Sequence, residues 1–260
     1  MIERIHRIAE RFVGGESIFE RGEWDICCVL DGCRVDTLAA ERVNVDRYPS
    51  VASTSPTWVE RTFADCPDGV AYVSGNPFSP RAEGDVAHLD MVPVREVAGI
   101  ETVPPSDLTA RAVDVWQRRD ELGVDRLVVH YMQPHVPFRR RPEWFRSFDR
   151  WGSHRWEDVG RDIDRGEWFD AYHDNLRWVL DEGIDPLTTS VDASVAVTAD
   201  HGNAAGQWGI SGHPRGALAP AVRMVPWVEL QGTAERELVA DAPAAEYDDD
   251  EQLAALGYVE

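Results

Sequence analysis

The run Ala193-Ser194-Val195-Ala196-Val197-Thr198 leads straight into Ala199-Asp200-His201-Gly202. A stretch of small and β-branched residues with no charge reads as a strand buried on both faces. Such a strand belongs in a mostly parallel sheet with helices on each side. A carboxylate and an imidazole on adjacent residues, where the strand stops, converge on one divalent cation as the chain turns. The glycine allows a sharp turn behind them. Ile26-Cys27-Cys28-Val29-Leu30 repeats the pattern and ends in Asp31-Gly32. Open α/β folds build their sites at the C-terminal edge of the sheet. Asp31, Asp200 and His201 are therefore the candidate metal ligands.

The rest of the chain alternates in the same manner. Helical spacing of apolar residues predicts helices over 2–12, 34–42, 56–63, 108–122 and 167–182. Thr54 or Ser55 stands at the cap of the third segment with Pro56 in its first turn, and Asp107 stands at the cap of the fourth. Phe169, Tyr172, Leu176 and Val179 form the apolar stripe of the last. Residues 70–73 and 127–132 read as further strands. Residues 222–230 read as an edge strand, because Pro226 cannot donate to a ladder. The expected fold class is α/β, a three-layer sandwich around a mostly parallel central sheet. A chain of 260 residues suffices for this as a single domain over 1–260. Two segments fall outside the pattern. Residues 139–168 hold Arg139-Arg140-Arg141 and Trp144, Trp151, Trp156 and Trp168, with Trp178 just beyond. They read either as a cap facing a substrate or as a salt-bridged insertion with its own small core. Residues 241–251 form an acidic tail segment, followed by a short apolar end at 253–259.

Charge narrows the partners. The chain has 47 acidic against 26 basic residues, a net charge of −21, and no lysine at all. Such a surface repels nucleic acid and anionic membrane. It reads as a solvated acidic coat suited to high salt, as in a halophile. Without lysine, a group that grips an anion must be arginine, protonated histidine or a metal. The charged N-terminus does not read as a signal peptide, no stretch is long enough to span a bilayer, and the expected compartment is the cytoplasm. Cys27, Cys28, Cys33 and Cys66 lack metal-ligand or redox spacing, and the first two read as core residues.

Several motifs occur in a fixed order: Val29-Leu30-Asp31-Gly32-Cys33-Arg34, Ser53-Thr54-Ser55-Pro56-Thr57-Trp58, His130-Tyr131-Met132-Gln133-Pro134-His135-Val136-Pro137, Thr198-Ala199-Asp200-His201-Gly202, and Gly212-His213-Pro214. Together with Val225-Pro226-Trp227 and the closing Leu256-Gly257-Tyr258, they resemble the sulfatase-like branch of the alkaline phosphatase superfamily. The resemblance implies that Asp31, Asp200 and His201 bind metal. It puts Thr54 in the position of the nucleophile, with Ser55 beside the proline as its rival. It places His135 and His213 on the substrate anion.

Chemistry supports that layout. A metal-bound hydroxyl at a helix N-terminus ionises more readily, and a nearby histidine exchanges protons with the leaving alcohol. His135, His213 and Arg34 are the available anion grips, although Arg34 also reads as an ion-pair partner for Asp36. Asn76, in Gly75-Asn76-Pro77, reads as a turn.

The departures from the family matter as well. Threonine does not become formylglycine, and Trp58 replaces the family's arginine, which argues against sulfatase action. Gly32 and Gln133 replace acids that would serve a second cation. One divalent metal is expected, with Mn²⁺ or Zn²⁺ favoured by the imidazole and Mg²⁺ or Ca²⁺ compatible. The expected activity is hydrolysis of phosphate, less readily sulfate, esters through a covalent Thr/Ser intermediate. The alternatives are a phospho-group transferase acting on a sugar or lipid hydroxyl, and a non-catalytic member that binds ligands. The expected partner is a small-molecule, glycan or lipid phospho- or sulfo-ester, and the sequence sets no oligomeric state. The charge yields a direct expectation: the melting temperature should rise from low salt to molar KCl as self-repulsion is screened. A flat or falling curve would contradict the halophile reading.

Overall fold

The fold is that of a computed structural model, described over residues 14–145 and 162–238. In chain order the main elements are β1 (Ile26–Leu30), α1 (Val35–Glu41), β2 (Asp46–Pro49), α2 (Ser55–Phe63), β3 (Val70–Ser74), β4 (His88–Met91), β5 (Arg95–Val97), β6 (Ile100–Thr102) and α3 (Pro105–Gln117). There follow β7 (Arg126–Tyr131), α4 (Arg165–Val179), α5 (Asp185–Ser190), β8 (Ser194–Thr198), β9 (Ala204–Ala205), β10 (Ser211–Gly212), α6 (Pro220–Arg223) and β11 (Met224–Gln231). Seven strands make one sheet in the order β2-β11-β8-β1-β7-β3-β4. From β8 to β4 every pairing is parallel. Every residue of β1 and of β3 is buried, which is why both read as unbroken apolar or small runs. The result is the three-layer α/β sandwich, with α3 packed on β7 and β3, and α1 packed on β11 and α4.

Two local expectations are corrected. β11 is an interior strand, lying between β2 and β8. Its ladder with β8 runs over Val228–Gln231, whereas Pro226 lies opposite Arg47 of the short strand β2. The proline thus falls outside the backbone ladder with β8, which its missing N–H does not interrupt, and its carbonyl accepts from Thr198 Oγ1 at 2.7 Å. Asp107 does not cap its helix. α3 starts two residues earlier at Pro105, and Asp107 sits in its first turn, where it pairs with Arg95 at 2.6 and 3.0 Å. The strands β2, β4, β5 and β6 are too short and too polar to show in the apolar pattern.

The described ends of the 139–168 segment close over a second, smaller core. Val136, Phe138, Ile163, Trp168, Ala171, Tyr172 and Ala205 pack together there, with Trp168 stacked on Tyr172 at 5.1 Å. Arg139 is tied to Asp174 at 2.9 Å and lies over the Trp178 ring. This core reaches the main sheet through Tyr172. Its hydroxyl donates to Gly32 O (2.7 Å) and accepts from Arg34 N (3.0 Å). Trp151 and Trp156, the helix expected over 2–12, the acidic segment 241–251 and the end at 253–259 lie outside the described residues. Among the described residues no helix is long and apolar enough to cross a membrane.

Two glycines let the turns after β1 and β8 pack closely against their neighbours. Gly32 has φ +65, and a Cβ there would lie 2.4 Å from Asn203 Nδ2. A Cβ on Gly202 would lie 2.3 Å from the Ala221 carbonyl oxygen. Gly202→Ala should therefore destabilise the fold by roughly 1–3 kcal/mol in urea unfolding. Gly14→Ala, with no atom nearby, should stay within about 0.5 kcal/mol.

Candidate metal centre and active site

β1 and β8 are parallel neighbours, with Val29 opposite Thr198. Their ends therefore emerge side by side, and Asp31 and Asp200 follow on the same edge. Asp31 is 3% exposed, and Asp200 and His201 are fully buried. One ligand atom from each of the three lies within 4.8 Å of the others.

Each ligand is held by its surroundings. Asp200 Oδ1 accepts from Gly32 N (3.0 Å) and His201 N (2.8 Å). That turns Oδ2 toward His201 Nε2, 3.3 Å away. His201 donates Nδ1–H to the Gly202 carbonyl at 2.9 Å. In the neutral ring this leaves the Nε2 lone pair facing the carboxylates, the tautomer that a metal requires. Asp31 Oδ2 accepts from Asn76 Nδ2 at 2.8 Å, while Asp31 Oδ1 lies 3.8 Å from His201 Nε2.

The donor set fits a divalent cation. Asp31 Oδ1 and Asp200 Oδ2 are buried and have no hydrogen-bond partner. Buried carboxylate oxygens without partners are costly unless a cation satisfies them. Burial pushes the Asp31 carboxyl far above the usual range, and the Asp200 charge pushes it further. Burial also works against Asp200, but His201, His130 and the Gly32 N–H together hold it low. Two carboxylates and one imidazole with a lone pair offer the oxygen and nitrogen ligands that Zn²⁺ and Mn²⁺ accept.

Of the two candidate nucleophiles, the structure turns Ser55 toward this cluster. Ser55 is the first residue of α2, and its Oγ lies 3.4 Å from Asp31 Oδ2 and 3.3 Å from His201 Nε2. Thr54 takes the N-cap position, but its hydroxyl donates to Thr57 Oγ1 at 3.2 Å and caps no backbone N–H. The helix phase accounts for the difference. Thr54 is still extended (φ −148, ψ 145), so the two successive side chains point apart.

His135 and His213 join the cluster from the far side. His135 donates Nδ1–H to the Val136 carbonyl (3.1 Å), and its Nε2 accepts from His213 Nε2–H (3.0 Å). The His213 ring stacks on His201 with centroids 4.2 Å apart. Burial lowers the pKa of His135 to about 4 and that of His213 well below its usual value. Both are neutral near pH 7, so they serve as hydrogen-bonding imidazoles and not as fixed cations.

Arg34 is not brought to the cluster. Its guanidinium grips Asp36 at 2.8 and 2.5 Å and donates to Asn203 O at 2.6 Å. The ion-pair alternative describes what the structure places there. Asn76, read as a turn, is a fully buried partner of Asp31. A signal for it exists in the sequence: β3 is a third apolar parallel strand, and Asn76 follows its end on the same edge. Asn203, whose Nδ2 donates to Gly32 O at 3.1 Å, and His130 within β7 carry no comparable mark.

Solved structures share this fold. The soluble domain of lipooligosaccharide phosphoethanolamine transferase A from Neisseria meningitidis is similar over 95% of this chain and 92% of that one, at TM-score 0.50 and 15% identity. The lipoteichoic acid synthase LtaP from Listeria monocytogenes is similar over 90% of this chain and 71% of that one, at TM-score 0.50 and 14% identity. The chain spans 55% of the integral membrane form of the Neisseria meningitidis transferase, at TM-score 0.48 and 14% identity over 91% of this chain. No protein-family model and no curated protein matches the chain. The architecture is thus the α/β fold of these solved structures, with its mostly parallel central sheet.

Metal should stabilise the fold. Zn²⁺ at 100 times its dissociation constant should add about 2.7 kcal/mol to the chelator-treated protein, read as a rise in melting temperature. Asp200→Asn should abolish the rise. A melting temperature indifferent to chelator and to metal would show that the cluster does not bind metal.

Proposed function

We propose that this protein transfers a phospho-group from a phosphoester donor to a hydroxyl of a lipid or glycan, through a covalent ester on Ser55. The observation that carries this reading is the Ser55 hydroxyl, set at the N-terminus of α2 against Asp31 and His201. A helix N-terminus favours the alkoxide and the anionic group that it attacks. A divalent cation on Asp31, Asp200 and His201, best Zn²⁺ or Mn²⁺, would withdraw charge from the phosphoryl oxygens and ease ionisation of the hydroxyl.

The chain's own residues supply the rest. Ser55 Oγ forms a bond to phosphorus as its proton leaves, and the donor's P–O ester bond breaks. The departing alcohol takes up a proton. In the second half an acceptor hydroxyl gives up its proton and attacks phosphorus, and the P–Oγ bond breaks to restore Ser55. The neutral His135–His213 pair offers hydrogen bonds beside the reacting group, and with their basicity lowered by burial the protons of the two half-reactions pass to and from solvent. If water takes the place of the acceptor, the same intermediate gives the hydrolysis expected from the sequence. Transfer is preferred because the similar solved structures are a phosphoethanolamine transferase and a lipoteichoic acid synthase.

An aryl phosphodiester with and without an alcohol acceptor, at high salt with Zn²⁺ or Mn²⁺, tests the proposal. Ser55→Ala should lower turnover on the order of 10³-fold or more, and mass spectrometry of the wild type should show a phospho-adduct on Ser55. Thr54→Ala should leave turnover within a few-fold and cost little stability, since the Thr54 hydroxyl caps no helix N–H. The reverse pattern would return the nucleophile to Thr54. Free phospho-product with no acceptor ester would favour the hydrolase. Absence of both turnover and adduct in metal-loaded protein would favour a binding role.

A further inference from the structure

β7 is apolar over Leu127–Val129 and then carries a buried imidazole, His130, one residue before its end. His130 is fully buried, T-shaped against the Trp58 ring (centroids 5.4 Å) and end to end with the Tyr72 ring (6.1 Å). A buried imidazole is costly unless both nitrogens are satisfied. Nδ1 lies 2.7 Å from the Tyr72 hydroxyl. Nε2 has no hydrogen-bond partner, and it faces Asp200 Oδ2 at 3.8 Å, itself without a partner. Two orphaned polar atoms therefore confront each other, slightly beyond hydrogen-bond range.

The carboxylate selects the tautomer with hydrogen on Nε2, so the Tyr72 hydroxyl must donate to Nδ1. Behind Tyr72 the polar chain continues. Ser79 Oγ bridges Tyr72 Oη (2.9 Å) and Ser74 Oγ (2.6 Å), and Asn76 N donates to Ser74 Oγ (2.9 Å). Asn76 Nδ2 then donates to Asp31 Oδ2 at 2.8 Å. Side chains from β7, from β3 and from the turns after it thus link the rear of Asp200 to the rear of Asp31. Nothing in the group-transfer steps uses this chain.

We propose that His130 is a positioning residue for the cation. Its Nε2–H, fixed by the Tyr72 hydroxyl, holds the Asp200 carboxylate in its coordinating orientation, while the same polar chain steadies Asp31 through Asn76. The proposal rests on the reading that Asp31, Asp200 and His201 bind a divalent cation. Groups behind metal ligands typically govern affinity by about 10–100-fold.

The test is Zn²⁺ affinity of the full chain, read by competition with a chromophoric chelator and independent of any turnover. Glutamine extends an amide toward the place of Nε2, whereas asparagine reaches only that of Nδ1. His130→Gln should therefore bind Zn²⁺ close to wild type. His130→Asn and Tyr72→Phe should bind it about 10–100-fold more weakly. The melting temperature of each chelated variant separates loss of affinity from damage to the fold. The proposal is overturned if His130→Asn and Tyr72→Phe bind Zn²⁺ as the wild type does. It is equally overturned if all three variants weaken together in step with their chelated melting temperatures, which a merely structural histidine would give. Wild-type protein that binds no Zn²⁺ would overturn the metal reading itself, and this proposal with it.

Discussion

Two carboxylates, Asp31 and Asp200, leave adjacent parallel strands at one edge of the sheet and end buried beside each other. Their mutual repulsion is the constraint around which the local structure is arranged. Each has one oxygen bonded by the chain, from Gly32 N–H and His201 N–H in one case and from Asn76 in the other. Each keeps one oxygen without a hydrogen-bond partner. Gly32 follows from the same constraint, because a side chain there would meet Asn203 in the turn after β8, whereas Gly202 makes room for the backbone of Ala221.

The charge balance of the site points the same way. The chain has no lysine, and Arg34 is taken up by Asp36 and Asn203. His135 and His213 are neutral because they are buried. None of the described side chains that meet at the cluster brings a fixed positive charge, although the proposed reaction concerns an anionic ester. A bound cation and the N-terminus of α2 are the sources left to balance the carboxylates and draw in an anion. His135 and His213, set edge to face, would then act as hydrogen-bonding groups, a role that neutral imidazoles fill without adding repulsion toward a bound cation.

Much of this was legible in the sequence, because parallel strands buried on both faces are continuous apolar runs and their ends are abrupt. The acids after β1 and β8, and the imidazole of His201, stand out for that reason. What was hidden depends on phase and on neighbours. Thr54 and Ser55 differ by one residue at the point where extended chain becomes helix, and only the actual start of α2 decides which hydroxyl turns inward. Pro226 suggested an edge, yet its position relative to the end of β8 could be known only from register. His130 looks like any residue of a buried strand, and Asn76 like any turn. Their value lies in partners 70 and 45 residues away, and local pattern is blind to contacts at that separation. Asp36, by contrast, is two residues from Arg34, and that pairing was visible beforehand.

The account is tested most directly by anomalous diffraction at the zinc edge from crystals of the Zn²⁺-loaded protein. The predicted result is one strong peak within bonding distance, about 2.0–2.2 Å, of Asp31, Asp200 and His201, with the Ser55 hydroxyl beside it. A map with no peak there, or with its peak on His135 and His213 instead, would contradict the claim that the two strand-end carboxylates exist to hold a metal.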